Sequence, residues 1–239
     1  MSGPKILAIN GSPSGKHGAT ALILNPFVEG AKQAGADVDL VELVSRKIKP
    51  CLGELACWGP SPGKCIQKDD MAELLLKIDQ ADILVYACPV YIDTVAGLMK
   101  NFLDRHVPLM EPQVVLQNGH CRHPRRVKKK QKMVAISVCG FYEMDNFDLL
   151  IQTIKAMTEN FDVEFAGAIL RPYGTFLKSG KVPEEVKNSI LDAARRAGNE
   201  IVKEGAFRKE TINEVAKPFL PLEAYVQAIN KYWSNVKAS

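Results

Sequence analysis

The stretch from Lys5 to Thr20, KILAINGSPSGKHGAT, changes character at Asn10. Residues 5–10 are almost wholly apolar, which predicts a buried strand. Residues 10–20 are rich in glycine and serine and lead into a helical pattern. A loop that joins the carboxyl end of a parallel strand to a helix is where ligands bind in open α/β sheets. This junction therefore indicates both a fold and a place to look for function.

The same change recurs along the chain. Apolar runs lie at 38–44, 81–89, 132–140 and 163–170, and helical spacing occupies 18–35, 70–80, 95–106, 146–160 and 183–205. Most of the apolar runs have no polar face, which is typical of strands buried on both sides. Five such alternations with right-handed crossovers predict an α/β fold with a doubly wound, five-stranded parallel sheet between two helical layers. Pro26 should kink the first helix or delay its regular part to Asn25.

Composition limits the classes of function. A chain of 239 residues that is 46% hydrophobic can form one large domain with an appendage. The formal net charge of +4 is too small for a nucleic-acid-binding protein and suits a small anionic ligand better. The first residues lack a signal-peptide pattern, and no run reaches about 18 apolar residues, so we expect a cytoplasmic protein without a membrane span. In that compartment six cysteines are more often reduced or metal-bound than disulfide-bonded.

Two stretches interrupt the alternation, and a third follows it. The expected organisation is a domain at 1–205 with a cysteine-containing insertion at 47–69 and a loop insertion at 107–131, then a C-terminal extension at 206–239. Both insertions are expected above the sheet. The extension is too apolar for a free tail, so we expect it to pack on the domain or on a neighbouring subunit. Asp70, followed by Glu73, predicts a capping box that starts the next helix.

The first loop has the features of a phosphate site. Ser12, Ser14 and Thr20 supply hydroxyl groups, and glycines such as Gly18 allow the backbone to approach a ligand closely. The loop matches neither the dinucleotide nor the P-loop glycine pattern, and its hydroxyl groups suit the single phosphate of a mononucleotide. The alternative interpretation is a glycine-serine turn that caps a helix.

The next two loops could hold a flat ring. ACPVYIDTVAGLMKNFLDR follows the third strand and presents Pro89 and Tyr91, whereas SVCGFYEMDNF follows the fourth and presents Gly140, Phe141 and Tyr142. A heteroaromatic ring needs an aromatic or apolar wall and backbone groups along one edge. Packing in the core is the competing interpretation for each aromatic residue.

Three pieces of the chain together resemble a known family. INGSPSGKHGAT (9–20), IKPCLGELACW with GKCIQKDDM (48–71) and PVYIDTVAGLMKNFLDR (89–105) are similar to the NADPH-dependent FMN reductase family, and specifically to its iron-sulfur flavoprotein branch. The resemblance covers roughly the first 175 residues. It implies a flavodoxin-like fold, noncovalent FMN, an NAD(P)H or ferredoxin-like electron donor, and homodimers or homotetramers with FMN near a subunit interface.

The resemblance also implies roles for particular residues. By position, the phosphate would be held by Ser12, Ser14, Gly18 and Thr20; the isoalloxazine would be bordered by Pro89, Val90, Tyr91 and Ile92; and Ser137, Gly140 and Phe141 would close the site. Flavin chemistry demands no protein acid, base or nucleophile, so we assign no catalytic side chain.

The cysteines depart from the pattern of this branch. Its members carry a C-x2-C-x2-C run and a later fourth cysteine that hold a [4Fe-4S] cluster. The corresponding positions here are Cys51, Glu54, Cys57 and Cys65, so a glutamate replaces the second thiolate. A cluster normally takes four thiolates. A cluster, thiols without metal, or another metal all remain open at this point.

Three functions are therefore weighed. The first is an FMN-dependent oxidoreductase or electron-transfer flavoprotein that passes electrons from a reduced donor to an acceptor, with the cysteine insertion as a one-electron relay if it holds a cluster. The second is a cluster-free NAD(P)H-dependent FMN or quinone reductase. The third is a non-catalytic flavodoxin-like module for redox sensing or partner binding.

Overall fold

The central sheet is built from five main strands, and all five are parallel. The computed structural model describes residues 3–237, and its main strands are β1 (Lys5–Asn10), β2 (Asp37–Glu42), β3 (Ile83–Tyr91), β4 (Lys132–Val138) and β5 (Glu164–Arg171). They are arranged β2-β1-β3-β4-β5, and each neighbouring pair is parallel. This is the flavodoxin-like order of doubly wound sheets, so the predicted fold is confirmed. The five strands end along one side of the sheet, called the carboxyl edge below.

Helices cover both faces of the sheet. They are α1 (Ala19–Gln33), α2 (Met71–Gln80), α3 (Gly97–Asp104), α4 (Asp148–Asn160) and α5 (Glu184–Lys203), followed by α6 (Lys209–Ala216) and α7 (Leu222–Lys237) in the C-terminal extension. One face of the sheet is buried by α1 and α5. The other face is buried by α2, α3 and α4. Each predicted helix is present to within two residues at either end.

Two glycines let α1 and α5 touch backbone to backbone. A Cβ atom on Gly30 would lie 1.8 Å from the Arg195 carbonyl oxygen, and one on Gly198 would lie 1.9 Å from that of Phe27. Any larger residue would force the helices apart. The expectation that the first helix becomes regular only at Asn25 is wrong, because α1 begins at Ala19 and continues through the buried Pro26.

The second insertion lies elsewhere than expected. The segment 107–131 joins the end of α3 to the start of β4, and it contains a short hairpin of Val115–Gln117 and His120–Arg122. At its end the Gln131 amide donates to the Ile78 and Ala81 carbonyl oxygens, both at 2.6 Å. These bonds attach the insertion to the amino edge of the sheet, opposite the carboxyl edge. Within residues 3–237, no helix is both long enough and apolar enough to cross a bilayer.

Candidate functional site

The strand order creates a crevice at the carboxyl edge. The chain runs from β1 outward to β2 and then returns past β1 to β3, so the loops that follow β1 and β3 leave the sheet in opposite directions. Ligands of doubly wound sheets bind at this switch point. The candidate site is therefore bordered by residues 10–20 and by the chain that follows β3.

Side chains fold the first loop back on itself. Asn10 donates from Nδ2 to Glu42 Oε2 at 2.9 Å, and Asn10 Oδ1 accepts from the Ser12 N–H at 3.1 Å. Ser12 Oγ in turn accepts from the Ser14 N–H at 3.3 Å. A Cβ atom on Gly18 would lie only 2.8 Å from Ser12 Oγ, so glycine is needed for this close turn. These hydrogen bonds among its own residues and to Glu42 give the loop its shape.

The loop delivers an unpaired buried hydroxyl to the start of α1. Thr20 Oγ1 is buried and lacks a hydrogen-bond partner in the described structure. The first turn of α1 contains no acidic residue, and Gly18 gives the helix no side-chain cap. Free N–H groups at a helix N-terminus attract anions, and an unpaired buried hydroxyl costs free energy until it finds a partner. These features fit a phosphate group, the anionic part of FMN.

The end of β3 forms a strained hairpin. Thr94 and Val95 pair antiparallel with Tyr91 and Val90, and the turn residues Ile92 and Asp93 have φ values of 46° and 61°. Positive φ at both central positions is the type I′ arrangement, which favours Asn and Gly and is costly for a β-branched residue. The Ile92 side chain is 93% exposed at the tip. Strain of this kind is concentrated at ligand-binding sites.

Some side chains at the end of β4 and in the loop that follows it pack against other parts of the protein. Ser137 is fully buried and donates to the Cys88 carbonyl oxygen at 2.8 Å, so its hydroxyl joins β4 to the end of β3. Gly140 and Phe141 are exposed at the carboxyl edge. The Tyr142 ring stacks on Tyr173 with centroids 5.0 Å apart. It therefore packs within the protein and does not form part of the wall expected for a flat ring.

The structure brings the three predicted loops to one edge of three adjacent strands. The flavin-binding role of each residue stays a prediction. Sequence reasoning missed Arg171, Tyr173 and Tyr225, which surround the β4 loop from the side of the C-terminal extension. For Tyr225 the signal was the unusually apolar and aromatic character of the tail, whereas Arg171 and Tyr173, at the end of β5, had no such signal.

The cysteine segment, residues 47–69, is attached to the flank of the sheet. The Trp58 indole N–H donates to the Val107 carbonyl oxygen at 3.2 Å, and the Arg126 guanidinium donates to that of Cys57 at 3.4 Å. These bonds connect the segment to the start of the 107–131 insertion. The aromatic rings of Trp58 and His123 also pack together at 4.5 Å.

Three of the cysteines are neighbours without forming a metal site. Cys57 is buried, Cys51 is exposed and Cys65 lies between these extremes. Burial raises the pKa of the Cys57 thiol, and the charges of Glu54, Cys65 and Cys51 raise it further. Across residues 3–237, no group of three or more His, Cys, Asp or Glu side chains is arranged to hold a metal. The thiols as placed therefore do not fit a four-ligand cluster.

The acidic pair at the end of this segment corrects the capping-box expectation. The Asp70 side chain forms no cap hydrogen bond, and instead accepts from the Lys47 N–H at 2.9 Å. Asp69 Oδ1 accepts from the Met71 N–H at 3.2 Å. Asp69 also pairs with the buried Arg105 guanidinium. Both carboxylates thus close the segment rather than serve the helix alone.

The fold is flavodoxin-like, and the crevice at its switch point has features that fit a mononucleotide phosphate. The family model for NADPH-dependent FMN reductases matches residues 4–157. One iron-sulfur flavoprotein of Archaeoglobus fulgidus is 39% identical over 101 residues, which are 42% of this chain and 48% of that protein. A second from the same organism is 36% identical over 212 residues, covering 88% of this chain and 85% of that protein.

A solved structure agrees with the fold. The FMN-dependent NADH-azoreductase of Bacillus anthracis, in complex with FMN, superposes with a TM-score of 0.62 at 15% identity, covering 84% of this chain and all of that one. The chain belongs to the NADPH-dependent FMN reductase family and is a flavin-dependent oxidoreductase. The predicted family is therefore confirmed, and membership favours the two reductase interpretations over the non-catalytic module.

Proposed function

We propose that the chain binds FMN at the carboxyl edge and passes electrons from NAD(P)H or a ferredoxin-like donor to an acceptor. The observation that carries this proposal is Thr20, whose buried hydroxyl lacks a partner at the uncapped start of α1. A phosphate placed there would satisfy that hydroxyl and the free N–H groups at once.

The residues divide into three roles. The bound flavin supplies the redox chemistry by accepting a hydride or electrons from the donor. The protein orients the flavin ring and limits the access of solvent to it. Ser137 contributes to the orientation indirectly, because its hydroxyl holds the end of β3 in place. The proposed phosphate ligands are Ser12, Ser14, Gly18 and Thr20; the residues that border the ring are Pro89, Val90, Tyr91 and Ile92; and those that close the site are Ser137, Gly140 and Phe141.

Flavin titration tests the proposal. Purified apoprotein is titrated with FMN while flavin fluorescence and the visible spectrum are recorded, and the complex is then mixed anaerobically with NADPH, NADH or reduced ferredoxin. We expect saturable FMN binding and bleaching of the oxidised flavin bands by at least one donor. A protein that binds no FMN contradicts the proposal outright, and bound FMN that no donor reduces contradicts its catalytic part.

A cluster-containing electron carrier is a second candidate. It is favoured by the neighbouring thiols of Cys51, Cys57 and Cys65 and by the iron-sulfur flavoprotein names of the relatives. Glu54 stands where the second thiolate would be. The side chains as placed do not fit a cluster, so the proposed path of electrons does not include this segment.

We also propose that the chain forms a homodimer or homotetramer. Tyr91, Ile92, Phe141 and Met144 expose large apolar side chains along the carboxyl edge. Grouped exposure of this kind marks an interaction surface. Light scattering coupled to size-exclusion chromatography measures the assembly, and a monomer at micromolar concentration would contradict this proposal.

A further inference from the structure

We propose that the C-terminal extension positions the β4 loop for the reduced flavin, and that the Tyr225 phenol is the positioning group. The inference rests on the proposed FMN site. It concerns residues 206–237, which lie beyond the part of the chain that the family model matches. Tyr225 belongs to α7 and is buried, whereas the other described side chains of that helix are exposed or half-buried.

Three consecutive carbonyl groups of the β4 loop each accept a hydrogen bond from a residue that follows β5. The Cys139 oxygen accepts from the Gly174 N–H at 3.1 Å, and the Phe141 oxygen accepts from the Tyr173 N–H at 2.7 Å. Between them, the Gly140 oxygen accepts from the Tyr225 hydroxyl at 2.7 Å. The donors to the outer two carbonyl groups are backbone N–H groups that follow β5, whereas the donor to the middle one is a side chain of α7.

The hydrogen bond from Tyr225 to the Gly140 oxygen also sets the direction of one N–H group of the loop. In a planar trans peptide group the N–H is directed opposite to the C=O, and no cis peptide bond occurs among residues 3–237. The N–H of Phe141 belongs to the same peptide group as the Gly140 oxygen, so it points away from Tyr225. Gly140 and Phe141 are exposed, so the proposed arrangement places this N–H on the open side of the loop.

The extension that carries Tyr225 is fastened by a buried arginine. Arg171, at the end of β5, donates from Nη1 to the Val215 and Lys217 carbonyl oxygens at 2.7 and 2.9 Å, where α6 ends. Its guanidinium also lies over the rings of Tyr173 and Phe219, at 4.7 and 5.2 Å from the ring centroids. Carbonyl groups at a helix C-terminus attract a cation, so this contact holds the extension against the sheet.

A second contact attaches the loop to the extension. The Tyr142 hydroxyl donates to the Leu220 carbonyl oxygen at 3.0 Å, and the Tyr142 ring lies 5.8 Å from that of Tyr225. The loop therefore contacts the extension through two phenols. Only the Tyr225 bond acts directly on a peptide group of the exposed part of the loop.

The chemical consequence concerns the reduced state. Reduced flavin gains negative charge on its pyrimidine side, and an oriented backbone N–H stabilises such charge more strongly than it stabilises a neutral ring. Loss of the Tyr225 hydroxyl frees the Gly140–Phe141 peptide group to rotate. The reduced cofactor should then lose more binding than the oxidised cofactor, and the reduction potential should become more negative.

The test compares Tyr225→Phe with Tyr232→Phe. The control is the same substitution on the same helix, but the Tyr232 side chain is 55% exposed. FMN affinity is measured for the oxidised cofactor by fluorescence titration, and the potential of the bound flavin is measured anaerobically against reference dyes. For Tyr225→Phe we expect reduced FMN to lose about tenfold more affinity than oxidised FMN, which is a shift of about −30 mV for a two-electron couple.

The outcomes separate this inference from the proposed function. A wild-type protein that binds no FMN overturns both. Wild-type binding with an unchanged potential in Tyr225→Phe overturns the positioning role alone, as does an equal shift in Tyr232→Phe. Circular dichroism and the thermal midpoint identify a variant that fails to fold, and Tyr142→Phe then supplies an independent measurement, with a shift in the same direction expected and no shift counting against the role.

Discussion

Asp69 and Arg105 form a bidentate ion pair at the neck of the cysteine segment, although 36 residues separate them in sequence. Arg105 Nη1 lies 2.7 Å from Asp69 Oδ2, and Nη2 lies 3.0 Å from Oδ1. Their side chains are only 1% and 2% exposed. Arg105 also donates to the Lys49 carbonyl oxygen at 2.8 Å, and Asp69 accepts from the Lys49 N–H at 3.0 Å. One ion pair thus joins both ends of the segment to the end of α3.

The first prediction concerns this ion pair. Asp69→Asn leaves the Arg105 charge buried without its carboxylate, so we expect the free energy of unfolding to fall by about 3 kcal/mol. Urea denaturation followed by circular dichroism measures the loss. The double variant Asp69→Leu with Arg105→Met removes both charges, and it should recover part of that stability.

An exposed carboxylate provides the control for that prediction. Asp104 accepts from Lys100 Nζ at 2.6 Å, and both side chains are well exposed. Asp104→Asn should cost less than about 1 kcal/mol because solvent screens surface pairs. Equal losses for the two Asp→Asn variants would mean that the Asp69 pair contributes no more than a surface contact.

Thr20→Val separates ligand binding from stability. Valine has nearly the shape of threonine but lacks the unpaired hydroxyl, so the apoprotein should be unchanged or more stable by about 1 kcal/mol. FMN affinity should fall about 10- to 100-fold, because a hydrogen bond to a charged phosphate is lost. Thermal denaturation and fluorescence titration measure the two effects.

Thr153→Val is the matched control for Thr20. The Thr153 hydroxyl donates to the Leu149 carbonyl oxygen within α4, away from the carboxyl edge. This substitution should leave FMN affinity unchanged. If Thr20→Val also binds FMN as the wild type does, the phosphate lies elsewhere.

Acid should destabilise the protein through His106. Burial lowers the pKa of His106 to about 4 from 6.5, and the ring stays neutral with Tyr86 and the Phe102 carbonyl oxygen as hydrogen-bond partners at 2.9 and 2.8 Å. As the pH falls from about 6.5 to about 4, the His106 ring becomes protonated in the unfolded chain but stays neutral in the folded protein. Folding stability therefore falls across that window. We expect a loss of about 2 kcal/mol between pH 7 and pH 4.5 from this group.

A pair of histidine variants checks the assignment. His106→Gln removes the titrating ring, and urea denaturation at the two pH values should then show a smaller difference than in the wild type. His120→Gln changes an exposed histidine of the hairpin and should leave the difference unchanged. An undiminished pH dependence in His106→Gln would assign the acid sensitivity to other groups.

Iron analysis decides between the cluster and the metal-free thiols. If a cluster forms, Glu54→Cys supplies a fourth thiolate and should raise iron and sulfide content and slow the loss of absorbance in air. Cys57→Ser should abolish bound iron, whereas Cys121→Ser, in the hairpin, should not. Iron and sulfide absent from all anaerobically purified forms would favour the metal-free thiols.

The sequence predicted the fold because its signals are local. Apolar runs such as Lys5–Asn10 and the helical spacing of Glu184–Lys203 are properties of short stretches, and parallel topology follows from their alternation. The glycine- and serine-rich loop at 10–20 was equally visible, since its composition belongs to one continuous stretch.

Contacts between distant residues could not be predicted in the same way. Asp70 and Glu73 have the spacing of a capping box, yet the Asp70 carboxylate accepts from the Lys47 backbone N–H instead. The partner of Asp69 is Arg105, and nothing in the sequence around Asp69 indicates it. Such pairs form because the fold brings separated segments together, and a buried charge then takes the partner available there.

The sequence by itself thus determined a parallel sheet, the edge at which a ligand is expected and the departure at Glu54. Only the tertiary structure decided which hydroxyl is left unpaired, how the cysteine segment is closed and that Tyr225 reaches the Gly140 carbonyl group. Periodicity and composition are carried by neighbouring residues, whereas burial and hydrogen-bond partners depend on chain packing over long sequence separations.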